Sequence, residues 1–147
     1  MKTYSLILVL VIVGGCILAE SYAALARQPA SNEAVVRKFA AAFNKHDVAA
    51  MTALVADDAQ WLSVDGDKLS VETSGKSALA TWLTGYFKSC PSCHSEFEAV
   101  LVVGRFVTVH ERAVWESNSG PQTQRSLSVY EVRDGLIRRV WYYPAEK

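Results

Sequence analysis

The sequence predicts an α+β domain in which helices come first and one antiparallel sheet follows. Before Cys90, apolar side chains recur every three to four residues, as in helices that bury one face. From Ser95 onward the period changes to two, which is typical of strands. The Asp134-Gly135 pair, flanked by such strands, indicates a tight hairpin turn. Helices followed by a strand meander predict a single sheet that is covered by helices on one face.

The composition is typical of one globular domain. The chain has 147 residues, 50% of them hydrophobic, with four Trp, six Tyr and five Phe. This much apolar surface argues against disorder, and the length leaves no room for a second domain. Lys+Arg and Asp+Glu both number 15, so the formal net charge is zero and the pI is about 6.8. A nucleic-acid partner is not expected, because phosphate contacts need a basic surplus.

Residues 1–24 are predicted to be an export signal. Lys2 provides a positive start, Leu6–Val13 is an unbroken apolar run, and Ser21-Tyr22-Ala23 offers small residues for cleavage. The apolar stretch is shorter than the ~20 residues of a comfortable membrane span. Two alternatives stay open, a lipid anchor on Cys16 within a lipobox-like sequence and an uncleaved membrane anchor. All three place residues 25–147, a single domain, outside the cytoplasm, in the periplasm or secreted.

Three helices are predicted before the main sheet. Ser31 or Asn32 caps the first helix, and Asp47 caps a short second one. The third helix begins at Gly75-Lys76-Ser77 and ends at Pro91, because proline cannot continue a helix. The apolar face of the first helix consists of Val35, Val36, Phe39, Ala42 and Phe43.

Five extended segments are predicted. Gln60–Val64 is strand-like, Asp65-Gly66-Asp67 is a turn, and a short exposed segment then leads to the third helix. After that helix, short connections join four successive antiparallel strands. These strands are Phe97–Val103, Phe106–Glu116, Thr123–Arg133 and Leu136–Tyr143.

The Cys90-Pro91-Ser92-Cys93-His94 motif has several interpretations. In an oxidising compartment the pair Cys90 and Cys93 favours a structural disulfide. The motif also matches a c-type haem attachment signal, a redox dithiol or part of a zinc site. A redox pair should open a helix, whereas this one closes a helix, and His94 gives zinc at most three close ligands. Neither a metal nor a cofactor is expected.

The order of elements resembles the SnoaL-like domains of the nuclear transport factor 2-like superfamily. The resemblance is carried by VVRKF at 35–39, NKHD at 44–47, LVADDA at 54–59, the Gly75-Lys76 helix start and SVYEVRDGLIRRVW at 128–141. It implies a cone-shaped α+β barrel, in which a curved antiparallel sheet wraps around the N-terminal helices and leaves a pocket. This fold hosts isomerases, hydratases, cyclases, binding proteins and dimerisation modules, so it does not determine the function.

The catalytic groups of ketosteroid isomerase, an enzyme of this superfamily, are replaced here. In the register of the resemblance, its tyrosine falls on Phe39, its general-base aspartate on Ser63 and its donor aspartate on Ser128. A serine cannot replace a carboxylate base unaided, so steroid isomerisation by that mechanism is disfavoured.

The same register predicts an aromatic pocket. It directs Trp115, Ser128 and Tyr130 inward, and strand alternation places Glu111 and Ala113 on the same face as Trp115. Trp61, Ser63, Trp82, Tyr86 and Tyr142 complete the expected lining. Such a pocket suits a small hydrophobic or aromatic ligand. The alternative is that these aromatic side chains simply fill the core.

Glu111 is the candidate catalytic residue. Burial on an apolar face would raise its pKa and make it a general acid or base. The alternative is a structural ion pair with Arg125 or Arg112. The leading hypothesis is therefore small-molecule binding. One alternative is an isomerase, hydratase or lyase that uses Glu111 with Tyr130 and Ser128, and the other is a structural dimerisation module.

The opposite face of the sheet is predicted to form a homodimer. His110 and Arg112 alternate to this face, where apolar side chains predominate. These apolar residues are Leu127, Val129, Trp141 and Tyr143. The face is too apolar to stay exposed to water, and members of the superfamily often pair through it. Membrane contact is expected only through the N-terminus.

Overall fold

The computed structural model of the protein describes residues 31–144 and confirms the predicted α+β class. The predicted signal, the possible lipid site and residues 25–30 and 145–147 lie outside the described residues. The helices are α1 (Asn32–Phe43), α2 (Val48–Ala53) and α3 (Lys76–Ser89). The strands are β1 (Val55–Asp65), β2 (Lys68–Ser74), β3 (His94–Val103), β4 (Phe106–Ser117), β5 (Gly120–Arg133) and β6 (Leu136–Pro144). Within residues 31–144, no helix combines the length and apolar character needed to cross a membrane.

The helices begin at the predicted capping residues. The Ser31 hydroxyl accepts a hydrogen bond from the backbone N–H of Ala34 at 3.2 Å, and the Asp47 carboxylate accepts one from Ala50 at 2.9 Å. Each cap satisfies a backbone donor that the first helical turn leaves free.

The six strands form one sheet in the order β2-β1-β6-β5-β4-β3. All neighbours are antiparallel except β1 and β6, which are parallel. The last strand in sequence therefore lies in the interior of the sheet. The sheet is curved and does not close. Register shifts in β1, β3 and β5 interrupt its ladders, as β-bulges do where a sheet bends.

The sheet differs from the prediction in several places. It contains one parallel pair, and β1 and β3 begin five and three residues earlier than predicted, at Val55 and His94. The segment expected to be merely exposed is the edge strand β2, in which only Thr73 is buried. Without alternating burial, the period-two signal of a strand is weak. β5 begins three residues earlier than predicted and includes Pro121, which pairs with Glu116 on one side only. Proline is tolerated there, because no strand on the other side requires its missing N–H.

The core lies between the three helices and the inner face of the sheet. α1 and α3 pack their apolar faces against side chains that alternate inward from the central strands. The largest fully buried side chains include Val36, Met51, Leu83, Val107 and Ile137. Towards one end of the strands this packing opens, and a cavity remains.

Candidate functional site

A cavity of about 290 Å³ lies between α1, α3 and the inner face of the sheet, at the end where the packing opens. Its aromatic lining consists of Phe39, Phe43, Trp61, Trp82, Tyr86, Phe97, Tyr130 and Tyr142. Its polar lining consists of Ser63, Glu72, His94, Ser95 and Glu111, and Ala40, Leu83 and Ala113 complete it. The aromatic side chains therefore leave an opening and do not simply fill the core.

One wall of the cavity is a row of aromatic rings. The Trp61 and Trp82 ring centroids lie 6.1 Å apart with planes inclined by 27°, and Trp82 stacks on Tyr86 at 5.4 Å and 13°. Phe39 extends the row inward, 6.2 Å from Trp61. Trp82 is 36% exposed, which places it at the entrance. The wall is therefore aromatic, and contacts between neighbouring rings hold its side chains in place.

The carboxylate of Glu111 is held in the cavity by three serine hydroxyls. Ser95 Oγ donates to Glu111 Oε2 at 2.9 Å, while Ser126 Oγ and Ser128 Oγ donate to Oε1 at 3.2 and 3.0 Å. Ser126 and Ser128 follow each other at the period of two on β5, and Ser95 lies on β3, so the strands on both sides of β4 supply donors.

The prediction that Glu111 forms an ion pair with Arg125 or Arg112 is wrong. Arg125 donates instead to Glu98, at 2.9 Å, and Arg112 binds Glu96 and Glu98. Both arginines alternate to the outer face of the sheet, whereas Glu111 alternates to the inner face. Within residues 31–144, no Lys, Arg or His nitrogen lies within ion-pair distance of the Glu111 carboxylate.

Three tyrosine hydroxyls share the electrostatic environment of Glu111. Burial raises the pKa of Tyr130 well above its ordinary value, and the negative charge of Glu111 raises it further. Burial is also the largest cause that raises the pKa of Tyr142, where the charge of Glu111 adds to it and a hydrogen bond with Ser126 opposes it. Burial, then the charge of Tyr142 and then that of Glu111 raise the pKa of Tyr86. All three phenols are therefore neutral at physiological pH and can donate a hydrogen bond to a ligand.

The structure brings together most of the predicted pocket residues. Trp61, Ser63, Trp82, Tyr86 and Tyr130 line the cavity, as do the expected neighbours Tyr142 and Ala113.

Two predicted lining residues lie elsewhere. Ser128 is fully buried and does not line the cavity, but its hydroxyl donates to the Glu111 carboxylate, which does. Trp115 lies on the predicted face of β4, but it is paired with Gln122 of β5 at a position outside the cavity. Alternation predicts the face of a strand residue but not which part of the strand faces the helices.

Several lining residues were not predicted from the sequence. Glu72 lies on β2, which was not predicted to be a strand, and His94 and Ser95 lie before the predicted start of β3. Phe43 and Phe97 had visible signals, as apolar positions of a predicted helix and a predicted strand, but each signal equally fits the core.

The CxxC pair forms the predicted disulfide at the end of α3. Cys90 caps the helix, and its sulfur is bonded to that of Cys93. Both sulfurs are thereby occupied, so in this form neither can attach haem or bind zinc. Residues 31–144 also contain no group of three His, Cys, Asp or Glu side chains arranged to hold a metal.

Comparisons with known proteins match most of the chain. The family profile described as the SnoaL-like domain matches residues 36–140. The chain is similar to an uncharacterized cystatin-fold protein from Novosphingobium aromaticivorans, with a TM-score of 0.68 and 23% identity over 76% of this chain and 97% of that one. It is similar to a putative polyketide cyclase from Xanthomonas campestris, with a TM-score of 0.59 and 22% identity over 78% and 90%.

A third similar structure contains a small molecule. It is a hypothetical protein with a ketosteroid isomerase-like fold from Catenulispora acidiphila, in complex with trimethylamine. Its TM-score is 0.65 and its identity 16%, over 76% of this chain and 85% of that one. At these identities the three structures show a common fold. Comparison with curated proteins gave no match.

Proposed function

The chain belongs to the SnoaL-like domain family, and from this premise we propose that its cavity binds a small, largely apolar or aromatic molecule. The observation that carries the proposal is the cavity of about 290 Å³ between sheet and helices, which is walled by aromatic rings and contains the Glu111 carboxylate. Pockets of about this size, with mostly apolar walls and few polar groups, are typical of small-ligand sites.

The similar structures support a pocket function without specifying the ligand. One is a putative polyketide cyclase and another is in complex with trimethylamine, so the molecules associated with this fold differ widely. The identity of a ligand therefore has to follow from the side chains of this chain.

A thermal-shift screen with steroids, polyketide-like aromatics, small lactones and alkylamines tests the proposal. A compound present at about 100 times its Kd stabilises the native state by about 2.7 kcal/mol, which gives a clear rise in Tm. Ala40→Phe, whose side chain would enter the cavity, should abolish the rise.

The matched control is Ala41→Phe, one residue further along α1 on its exposed side. This variant should respond to the compound as the wild type does. No stabilisation by any compound, or an unchanged response of Ala40→Phe, would contradict ligand binding in the cavity.

A second candidate function is acid–base catalysis by Glu111. It is supported by the position of this carboxylate in the cavity beside the neutral hydroxyls of Tyr130 and Tyr142 rather than in an ion pair. Each compound that binds is incubated with the protein in D₂O and followed by ¹H NMR. Loss of an acidic C–H signal or formation of an isomer, absent with Glu111→Gln, would support an isomerase, hydratase or lyase. Unchanged spectra for every bound compound would contradict catalysis and leave ligand binding as the only proposed function of the cavity.

We further propose a homodimer through the outer face of the sheet. Leu127 is 41% exposed and Tyr143 38% exposed on this face, and Val129 and Trp141 are only half-buried. Apolar side chains in this number on one open surface favour association.

Export is also a proposal, with residues 1–24 as the signal and 25–147 as the domain. The Cys90–Cys93 disulfide is compatible with an oxidising compartment. The intact mass of the protein recovered outside the cytoplasm tests it. Cleavage removes the signal mass and Cys16 with it, lipidation adds acyl mass at Cys16, and an uncleaved anchor retains the full mass.

A further inference from the structure

The charged side chains that line the cavity are two carboxylates and one histidine. Glu111 lies inside, Glu72 lies on the exposed strand β2, and His94 is half-exposed and directed at Glu96, with Nε2 3.4 Å from Oε1. In the part of the chain described, no Lys or Arg side chain reaches the lining. The interior is therefore negative, whereas a site for an organic acid would be expected to contain a cation.

The Glu111 carboxylate has unused hydrogen-bonding capacity. An ionised carboxylate has about four acceptor positions, and the three serine hydroxyls use three of them. Neutral hydroxyls satisfy part of the oxygen lone pairs but do not neutralise the charge. A partly buried carboxylate without a cation gains more from a positively charged partner than from a neutral one.

The aromatic wall favours the same kind of partner. Trp61, Trp82 and Tyr86 line the cavity as a stacked row beside its entrance, with centroid separations of 6.1 and 5.4 Å. The face of an aromatic ring carries negative electrostatic potential, strongest for tryptophan, and attracts ammonium groups. An aromatic row and a carboxylate in one cavity together favour a cation with an apolar surface.

Resting on the proposed function, we propose that the cavity selects small organic cations, that is, amines in their ammonium form or quaternary ammonium ions that carry alkyl or aryl groups. Glu111 is the counter-ion, and Trp61, Trp82 and Tyr86 form the cation-binding wall. The alkyl or aryl groups occupy the space beside Phe39 and Phe97.

Two probes of nearly equal shape separate charge from shape. Phenyltrimethylammonium and its neutral carbon analogue tert-butylbenzene are titrated into the protein by calorimetry. The cation is expected to bind at least about tenfold more tightly, which corresponds to the ion and cation–π contributions at a partly desolvated site.

Glu111→Gln should lower the affinity for phenyltrimethylammonium about tenfold and leave tert-butylbenzene within about twofold. Glu116→Gln on the exposed end of the same strand is the charge-matched control and should change neither affinity. Trp82→Leu retains apolar surface at the entrance but removes the ring, so it should lower the preference for the cation even if Glu111→Gln does not fold.

The outcomes distinguish the two proposals. Equal or tighter binding of tert-butylbenzene would overturn the choice of an organic cation and leave the binding function standing. The same conclusion follows if neither probe binds while other compounds of the thermal-shift screen do. If nothing in the screen binds, the proposed function and the cation preference fail together.

Discussion

At the scale of single residues, Glu131 is the most tightly paired charge in the described part of the chain. Its side chain is only 4% exposed, and it accepts from Arg133 at 2.6 Å and from Arg105 at 3.0 Å, with Arg139 at 3.6 Å. Burial alone would raise the pKa of Glu131, but the hydrogen bond and charge of Arg133 and the charges of Arg105 and Arg139 outweigh it and hold the pKa below its ordinary value.

The lowered pKa predicts a loss of stability in acid. A carboxyl group whose pKa is lower in the folded state stabilises the protein fully above its unfolded pKa of about 4.3, and this contribution disappears as the pH falls through the folded value. Glu131→Gln should lower the free energy of unfolding by about 1–3 kcal/mol at neutral pH, and the difference from wild type should shrink below about pH 4. Urea unfolding over this pH range measures it.

Glu116→Gln is again the control, and it should change the free energy of unfolding little, because the exposed Glu116 side chain forms no ion pair in the described structure. If the difference in free energy of unfolding between wild type and Glu131→Gln stays constant below about pH 4, the predicted dependence of stability on the ionisation of Glu131 is contradicted.

Glu111 and one of its partners, Ser128, were predicted from the sequence, whereas Ser95 and Ser126 were not. Alternation placed Glu111 on the inner face, which requires only the period of a strand. Its serine partners depend on the registers of β3 and β5 against β4, and these registers are set by bulges and turns that a pattern of residue types does not specify. His46 stacks on Phe87 at 4.3 Å, and its Nε2 lies 2.9 Å from the Cys93 carbonyl oxygen, contacts that its place in a turn of the sequence does not reveal.

At the scale of elements, the end of α3 is fastened by the Cys90–Cys93 disulfide. The bond closes a loop of sequence separation 3, and Cys93 is 5% exposed. The hydrogen-bonding distance between His46 and the Cys93 carbonyl connects this loop to the turn between α1 and α2. The disulfide thus holds the helix that supplies Trp82 and Tyr86 to the cavity.

The short loop predicts a modest stabilisation. Cross-linking so few residues removes little entropy from the unfolded chain, about 2 kcal/mol. Replacing both cysteines by serine should lower the free energy of unfolding by about this amount. Dithiothreitol should destabilise the wild type equally and leave the double variant unchanged. A loss above about 4 kcal/mol would contradict the entropic estimate and indicate that the loop contacts matter more.

The elements with strong local signals were predicted well, and β2 was not. Ser31 and Asp47 act as caps because their side chains reach backbone donors within one turn, which is a local property. β2 depends on pairing with β1, and most of its side chains are exposed on both faces, so its sequence carries little pattern.

At the scale of the whole molecule, the two faces of the sheet have different chemistry. The inner face is covered by helices and encloses the cavity. The outer face carries ion pairs of Glu96 and Glu98 with arginines at one side and exposed apolar side chains such as Leu127 and Tyr143 at the other. The fold class and both faces follow from the sequence period, whereas the size of the cavity depends on how far the helices stand from the sheet.

The proposed homodimer predicts a mass of twice the protomer by light scattering at micromolar concentration. Leu127→Glu would bury a charge at the centre of the interface and should give the monomer mass. Thr84→Glu on the exposed surface of α3 is the control and should leave the dimer intact. A monomeric wild type would refute the dimer.

The parallel pairing of β1 with β6 has a consequence for the order in which the protein is made. β1 is synthesised early, yet the partner that ties it to the rest of the sheet is the final strand to leave the ribosome. Without β6, the β1–β2 hairpin has no hydrogen-bonded strand on the other side of β1 and packs only against the helices. A chain that stops before Leu136 therefore lacks the strand that joins β1 and β2 to β5, and its sheet is incomplete.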